Sequence, residues 1–441
     1  MTLAAGSRAV LTLYERSRGE NAGGSAVAFR AAVQRGGPTL SEARLRPAPS
    51  LIPSPGRPLG IRPAIAALPA SKIAEVAAVG FGDPAILPLW FGEGDLPTPA
   101  FICEAAAAAL KRGETFYTFK RGIPELRQAI AHYLSRLHAK PVGAERVVVT
   151  SAGMSAIMLS AQILVEPGDN VVILSPVWPN INASVEAMGG EARAVGLQPT
   201  AEGAWRLDLD RLMAACDAAT RAVFVNSPSN PTGWMMSREE AAALLDFTRR
   251  RGIWLMADEV YERIVYDRPV AASILDLAEP EDRVIVINSF SKSWAMTGWR
   301  LGWMVAPEAI HPVLDKLIEF NTSGAPTFLQ PAAATALREG EPFVASLVER
   351  CRAGRDIIVE GLARFSRIRA TAPAGAFYAF FRVDGMSDSL NFAKEIVRRC
   401  KVGLAPGAAF GPAGEGYLRL CFASAPERLS EALERLRPML G

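Results

Sequence analysis

Between residues 140 and 310 the chain alternates short, continuously apolar runs with longer stretches whose apolar residues recur at helical spacing. RVVVT (146–150), NVVIL (170–174), RAVFV (221–225), GIWLMA (252–257), VIVI (284–287) and LGWMV (301–305) are too short for buried helices and rich in β-branched residues. That combination marks strands. Residues 154–165 and 181–188 carry the helical pattern, and Ser237-Arg238-Glu239-Glu240 opens another helix with a capping box. Strands that are apolar at every position must be covered on both faces, so the prediction is an α/β fold: a mostly parallel central sheet with helices on both faces.

Upstream, the pattern predicts a short helix over 71–79, a strand and glycine-rich turn in LPLWFGEGDLPTP (87–99), and a helix to Leu110 with Pro99 in its first position. Tyr117 then lies in a loop before a helix opened by Pro124. Downstream come a helical stretch (342–365), APAGAFYAF (372–380), a helix (389–400) and the strand YLRLCFA (417–423). These predict a smaller α+β domain from residues 61–92 and 336–441, beside a large domain over 93–335. Residues 1–60 are rich in Arg, Ala, Gly, Pro and Ser without periodicity, and read as a disordered or non-native N-terminal extension, with organelle targeting as the weaker alternative.

Composition changes this picture little. The chain has 441 residues, 50% hydrophobic and 21% charged, as expected of a globular protein with two domains. Its net charge of +3 is concentrated in residues 1–60, where eight Arg face three Glu, so the remainder is slightly acidic and offers no footprint for nucleic acid. Five scattered cysteines without a CxxC pair fit thiols in a reducing, cytoplasmic compartment. Three histidines without metal spacing argue against a metal site or a Ser-His-Asp hydrolase. No run of 18 apolar residues predicts a membrane span.

The candidate chemistry follows the strand ends. TSAGMS (150–155), SPVWPN (175–180), NSPSNPTG (226–233), DEVYE (258–262) and SFSK (289–292) each succeed an apolar run. Ligands of open α/β sheets bind outside the carboxyl ends of the strands, so these loops should meet in one crevice. Only eight of the 48 basic residues are lysines, which makes Lys292, in a turn of small residues, a candidate for amine chemistry rather than plain charge. Arg300 offers a planar fork for a phosphate. Ala152, Gly153 and Met154 stand where a strand gives way to a helix start, so free N–H groups can seat the same anion, with Ser289 beside them. Asp258 follows a buried strand, where a bare carboxylate is costly. It is either a local cap or the partner of a protonated ring nitrogen. Tyr261 and Asn230 could hydrogen-bond a phenolic oxygen, Asn230 being otherwise a turn residue. Trp178 is a stacking face or core. Arg419, mid-strand, is half of a buried ion pair or a clamp for a substrate carboxylate. Together these parts describe a phosphorylated pyridine aldehyde, pyridoxal 5′-phosphate.

From Arg62 to the C-terminus, the spaced motifs NSPSNPTG, ADEVY, SFSKSWAMTGWRLG and YLRL resemble those of the class I/II aminotransferases of the aspartate aminotransferase superfamily, fold type I. The resemblance implies that Lys292 forms a Schiff base with pyridoxal phosphate and carries the proton. It implies that Asp258 pairs with the pyridinium nitrogen, that Tyr261 and Asn230 bind the ring oxygen, and that Trp178 stacks on the ring. Ala152, Gly153, Met154, Ser289 and Arg300 would hold the phosphate. Arg419 would clamp the substrate α-carboxylate, and Gly92 would face the substrate. Tyr117 is similar to a tyrosine that reaches the neighbouring subunit's phosphate, which implies a homodimer with shared active sites. The implied reaction moves an amino group from an L-amino acid to a 2-oxo acid, with 2-oxoglutarate as the expected acceptor. A C–S β-lyase of the cystathionine type would use the same residues. A DNA-binding regulator is disfavoured because residues 1–60 show no two-helix periodicity. Three departures stand out. The family often has two glycines at Ala152-Gly153 and proline at Ser227, and both changes are expected to be tolerated. Some aspartate-specific bacterial relatives carry lysine at Met154; its absence here argues against an acidic substrate and leaves apolar, aromatic or sulfur amino acids open, unless Lys120 or Arg121 supplies the charge across a dimer.

Overall fold

Seven strands form the central sheet of the computed structural model, which describes residues 60–138, 140–200 and 203–441. Apart from Gly60, the expected N-terminal extension lies outside the described residues. The strands are β1 (Val147–Thr150), β2 (Asn170–Ser175), β3 (Glu191–Gly196), β4 (Thr220–Asn226), β5 (Trp254–Asp258), β6 (Val284–Ser289) and β7 (Gly302–Val305), in the order β1-β7-β6-β5-β4-β2-β3. Neighbours run parallel except β7, which is antiparallel to both β1 and β6. Six of these strands are the apolar runs of the sequence. The seventh, β3, is an edge strand reading EARAVG, mostly half-exposed, and only its pairing with β2 defines it.

The alternation of side chains along each strand divides the runs between two cores. Val147, Val172, Val223, Leu255 and Val284 enter one apolar cluster, which Leu126 and Ile130 of helix Pro124–His138 and Leu244 of helix Arg238–Arg251 complete. Val148, Val171, Phe224, Met256 and Ile285 face the other, covered by Ala156 and Leu159 of helix Gly153–Leu164 and by Leu314 of helix His311–Asn321. Each such side chain contributes roughly 1.5–3 kcal/mol by leaving water.

A second sheet joins β8 (Ile368–Arg369), β9 (Tyr378–Val383), β10 (Ala405–Pro406) and β11 (Tyr417–Cys421) in the antiparallel order β8-β9-β11-β10. Its core draws on Ile73 and Trp90 near the start of the described chain, and on helices Glu341–Leu362, Ser389–Cys400 and Pro426–Leu440. Tyr261, just beyond β5, also packs into this core, so the turn after β5 touches both sheets' packing. The smaller α+β part and the larger α/β part belong to one compact unit, Arg62–Gly441. Among the described residues no helix is long and apolar enough to cross a membrane.

Local rules account for most helix ends. Ser237 Oγ accepts the Glu240 N–H at 3.1 Å while the Glu240 carboxylate accepts the Ser237 N–H at 2.8 Å, and Gly252 at φ 67° ends that helix. Pro99 sits one place earlier than expected. It caps helix Ala100–Lys111 with an extended ψ of 142°, and its carbonyl accepts the Cys103 N–H.

The turn after β1 is different. Ala152 adopts φ 82° and ψ 160°, a region nearly restricted to glycine. The close approach of β7 underlies this shape: a Cβ on Gly302 would come within 2.6 Å of the Gly153 nitrogen and 2.8 Å of the Ala152 carbonyl carbon. The expectation that alanine is simply tolerated here is therefore corrected. It is accommodated at a cost, because backbone strain is the price of the tight packing beneath the helix start.

Behind the carboxyl ends of β5 and β6 lies a buried charged network. His138 ends helix Pro124–His138, with Nε2 3.1 Å from the Glu262 carboxylate and Nδ1 3.3 Å from that of Asp276. A ring with a carboxylate at each nitrogen holds both protons. Glu262 also accepts from Asn288 Nδ2 at 2.7 Å, and Asn288 Oδ1 accepts the Ser289 N–H at 2.7 Å. Burial opposes the imidazolium charge, but the bonds to Asp276 and Glu262 outweigh it and lift the His138 pKa to about 10.

Two outcomes follow. Ala152→Gly should raise the unfolding free energy by about 1 kcal/mol, relief of strain exceeding the added chain entropy; a lower urea midpoint would refute the strain. A group whose folded pKa is raised contributes stability that is complete below its ordinary value of 6.5 and lost as pH rises through about 10. His138→Gln should therefore cost about 3 kcal/mol at pH 7, and its stability should fall less than the wild type's across that window. Parallel pH curves for the two proteins would show that His138 is not the source.

Candidate active site

The five strand-end loops do converge. Their side chains line one cavity of about 420 Å³ at the carboxyl ends of β1, β2, β4, β5 and β6. Ala152, Gly153 and Met154 come from the first loop and Trp178 from the second. Asn230 comes from the third, Asp258 and Tyr261 from the fourth, and Ser289 and Lys292 from the fifth. Gly92, Arg300 and Arg419 complete the wall from elsewhere in the chain.

Lys292 rides on the short helix Phe290–Ser293 and is half-buried, its Nζ donating to the Gly92 carbonyl at 2.6 Å. Burial is the main reason its pKa falls to about 8. The Arg419 charge acts in the same direction, while Cys421, Glu93 and Asp258 oppose it. The Nζ lies 5.7 Å from the centre of the Tyr261 ring. A Cβ at Gly92 would strike the Tyr378 hydroxyl at 2.3 Å, so only glycine brings this carbonyl to the lysine.

Asp258 ends β5 at 5% exposure. Its carboxylate accepts one N–H, from Val260 at 3.3 Å, and forms no ion pair among the described residues. Burial lifts its pKa to about 7, against the Val260 hydrogen bond and the Lys292 charge. The local-turn role is thus real but weak, and the carboxylate is left short of a cationic partner at the cavity wall.

Arg419 is the converse. It is 1% exposed in the middle of β11, and its Nη1 donates to Asn230 Oδ1 at 2.9 Å while Nη2 donates to the Trp90 carbonyl. The guanidinium lies over the Tyr378 and Phe410 rings, 4.5 and 5.0 Å from their centres, and Nε has no partner. No carboxylate pairs with it among the described residues, which disposes of the buried ion-pair alternative.

The remaining candidates sit around these charges. Asn230 is held by its own N–H donating to Asn226 Oδ1 at 2.8 Å, and Asn226 Nδ2 in turn donates to the Asp258 carbonyl at 3.0 Å. Tyr261 shares a 2.6 Å hydrogen bond with Tyr378, and burial raises both phenols above their ordinary range. Trp178 is half-buried, its backbone N–H donating to the Asn230 carbonyl at 2.9 Å. Ser289 accepts the Ser291 N–H at 3.1 Å, and Arg300 is exposed with a left-handed φ of 54°, donating to the Thr297 carbonyl. Beside them the first N–H groups of helix Gly153–Leu164 open on the cavity.

Tyr117 alone stands apart. It is 92% exposed, beside the exposed Phe116 and Phe119, and is no part of the cavity of its own chain. Conversely, Asn226, Ser291 and Tyr378 line the cavity without having been singled out. Asn226 and Ser291 lay inside motifs already noted. Tyr378 lay in the quoted run APAGAFYAF but carried no mark of a site residue there, since only the pairing of β9 with β11 brings it beside Arg419.

The residues fit a phosphorylated pyridine aldehyde: a helix start and Arg300 for the anion, an unpaired buried carboxylate for a protonated ring nitrogen, and a lysine of lowered pKa for the aldehyde. The unpaired buried guanidinium remains for a substrate carboxylate. Comparison with known proteins agrees. Residues 88–436 match the family model "Aminotransferase class I and II". Aspartate aminotransferase of Thermotoga maritima is 35% identical over 81% of this chain and 92% of its own length. Arginine–pyruvate transaminase of Pseudomonas aeruginosa is 36% identical over 80% and 89%. A solved structure of a Thermus thermophilus aspartate aminotransferase single mutant superposes with a TM-score of 0.80 at 32% identity, covering 86% of this chain and 99% of that one. The chain belongs to the class I and II aminotransferases, a family of pyridoxal phosphate-dependent transferases.

Proposed function

We propose that this chain binds pyridoxal phosphate in the crevice, with Lys292 as the residue bonded to its aldehyde, and moves an amino group from an L-amino acid to a 2-oxo acid. The observation that carries the reading is the pair of buried charges, Asp258 and Arg419, which have no ion-pair partner among the described residues and flank a half-buried lysine of lowered pKa. When bound, the cofactor supplies an electron sink for the pair left on the substrate α-carbon. The protein does the rest. Asp258 would hold the ring nitrogen protonated, its buried carboxylate matched there by a positive charge. Freed when the substrate amine takes its place at the aldehyde, the Lys292 amine, its pKa lowered to about 8, would take the proton from the substrate α-carbon and, in the other half of the cycle, return one to the carbon of the 2-oxo acid. The Gly92 carbonyl keeps Nζ in place. Arg419, preset by Asn230 and Trp90, grips the α-carboxylate and so orients the Cα–H toward the amine. Ala152, Gly153, Met154, Ser289 and Arg300 hold the phosphate, Tyr261 and Asn230 the ring oxygen, and Trp178 the ring face.

A homodimer is part of this reading. The exposed Phe116, Tyr117 and Phe119 supply an aromatic arm suited to a second copy, whose site Tyr117 would complete. Relatives named for aspartate and for arginine with pyruvate favour transamination over the cystathionine-type lyase.

Lys292→Ala should lose at least about a thousandfold in kcat, and it should fail to acquire the pH-sensitive visible band that the wild type gains with pyridoxal phosphate; full turnover would remove Lys292 from this role. Arg419→Ala should raise KM for the amino donor roughly 100-fold through loss of a charged hydrogen-bonding partner, and an unchanged KM would detach it from the substrate.

A further inference from the structure

A phosphate seat built from two segments is only as precise as the contact between them. In the reading above, on which this inference rests, one segment is the start of helix Gly153–Leu164 and the other is Ser289 at the end of β6. The two abut, since a Cβ added to Gly153 would lie 3.5 Å from both Ser289 Cβ and the Asn288 carbonyl oxygen. Behind Ser289 runs a buried chain of hydrogen bonds that the reaction itself does not use. The Ser289 N–H donates to Asn288 Oδ1 at 2.7 Å, while Asn288 Nδ2 donates to Glu262 Oε1 at 2.7 Å and to the Glu259 carbonyl at 3.2 Å. Turned over, that amide would set N–H against N–H and oxygen against two oxygens, so only one orientation satisfies it. Glu262 is pinned through its other oxygen, 3.1 Å from His138 Nε2, and His138 is pinned by Asp276, 3.3 Å from Nδ1. Asp276 in turn accepts the Ser273 N–H at 3.0 Å. His138, Glu262, Asn288 and Ser289 are each at most 8% exposed, where an unmade hydrogen bond is costly. Lys292 Nζ is held separately, by the Gly92 carbonyl at 2.6 Å. The chain of bonds therefore ends on the phosphate side of the cavity and not on the amine.

We propose that His138, Glu262 and Asn288 are positioning residues for the phosphate: they hold Ser289 against the helix start, and so make the site prefer a phosphorylated ring over the same ring without its phosphate. None of the three lines the cavity, so they act through Ser289 and not by contact. An anion seat needs such support because hydrogen bonds weaken steeply once a donor or acceptor is misaligned.

The test uses the full chain, freed of cofactor and titrated with pyridoxal phosphate and with pyridoxal, which share ring and aldehyde and differ only in the phosphate. Glu262→Gln keeps the side-chain shape but sets a neutral amide where His138 and Asn288 meet a carboxylate. It should raise Kd for pyridoxal phosphate at least about tenfold while changing that for pyridoxal less than about twofold. His138→Gln should act in the same direction, and if that variant fails to fold Glu262→Gln carries the test. Equal losses for both ligands, or no loss for either, would reduce the network to general support of the fold and overturn the proposal. Hydrogen exchange of the cofactor-free protein gives a second reading. In Glu262→Gln the Ser289 N–H should exchange at least about tenfold faster while the Val286 and Ile287 amides of the same strand keep their rates; an unchanged Ser289 rate overturns the proposal as well. A wild type that takes up neither ligand would instead sink the pyridoxal phosphate reading, while the Ser289 exchange still judges the network.

Discussion

Two opposite charges, Asp258 and Arg419, are buried in one crevice without ion-pair partners among the described residues, and the surrounding structure holds them there. Burying an unpaired ion costs several kcal/mol even after relaxation. Neither charge is relieved by moving, because Asp258 is the last residue of a strand covered on both faces and Arg419 lies in the middle of another. Their desolvation is met by the apolar burial of two sheets and their helices, and it becomes useful when a ligand of matching charge arrives. The penalty paid in the free protein is then recovered as binding and orientation.

The supports around these charges are neutral or charge-balanced. Asn226 ties Asn230 to the β5 end, and Asn230 together with the Trp90 carbonyl sets the Arg419 fork. The imidazolium of His138, between Glu262 and Asp276, braces the segments around the ends of β5 and β6 from behind, and Arg238, 3.8 Å from Asp276, offsets the second carboxylate.

Packing also explains an apparent irregularity. Ala152 keeps a backbone conformation that glycine would hold more cheaply, because β7 presses against the helix start through Gly302. That contact presents the helix N–H groups to the cavity, so a modest local strain coincides with a candidate anion seat.

The sequence by itself determined the strands, since six apolar runs can be buried only in a covered sheet, and it determined the chemistry of the crevice, since its polar groups recur just after those runs. Lys292, Asp258 and Arg419 were legible as cavity residues because each residue type was out of place for its local pattern, whereas Asn230 stood out only by its place in a strand-end turn. Tertiary structure alone decided the rest. The edge strand β3 and the reversed direction of β7 depend on neighbours rather than on composition. Tyr378 reaches the site only through pairing across the second sheet, and His138 met its two carboxylates only when a helix end, a turn and a loop were folded together.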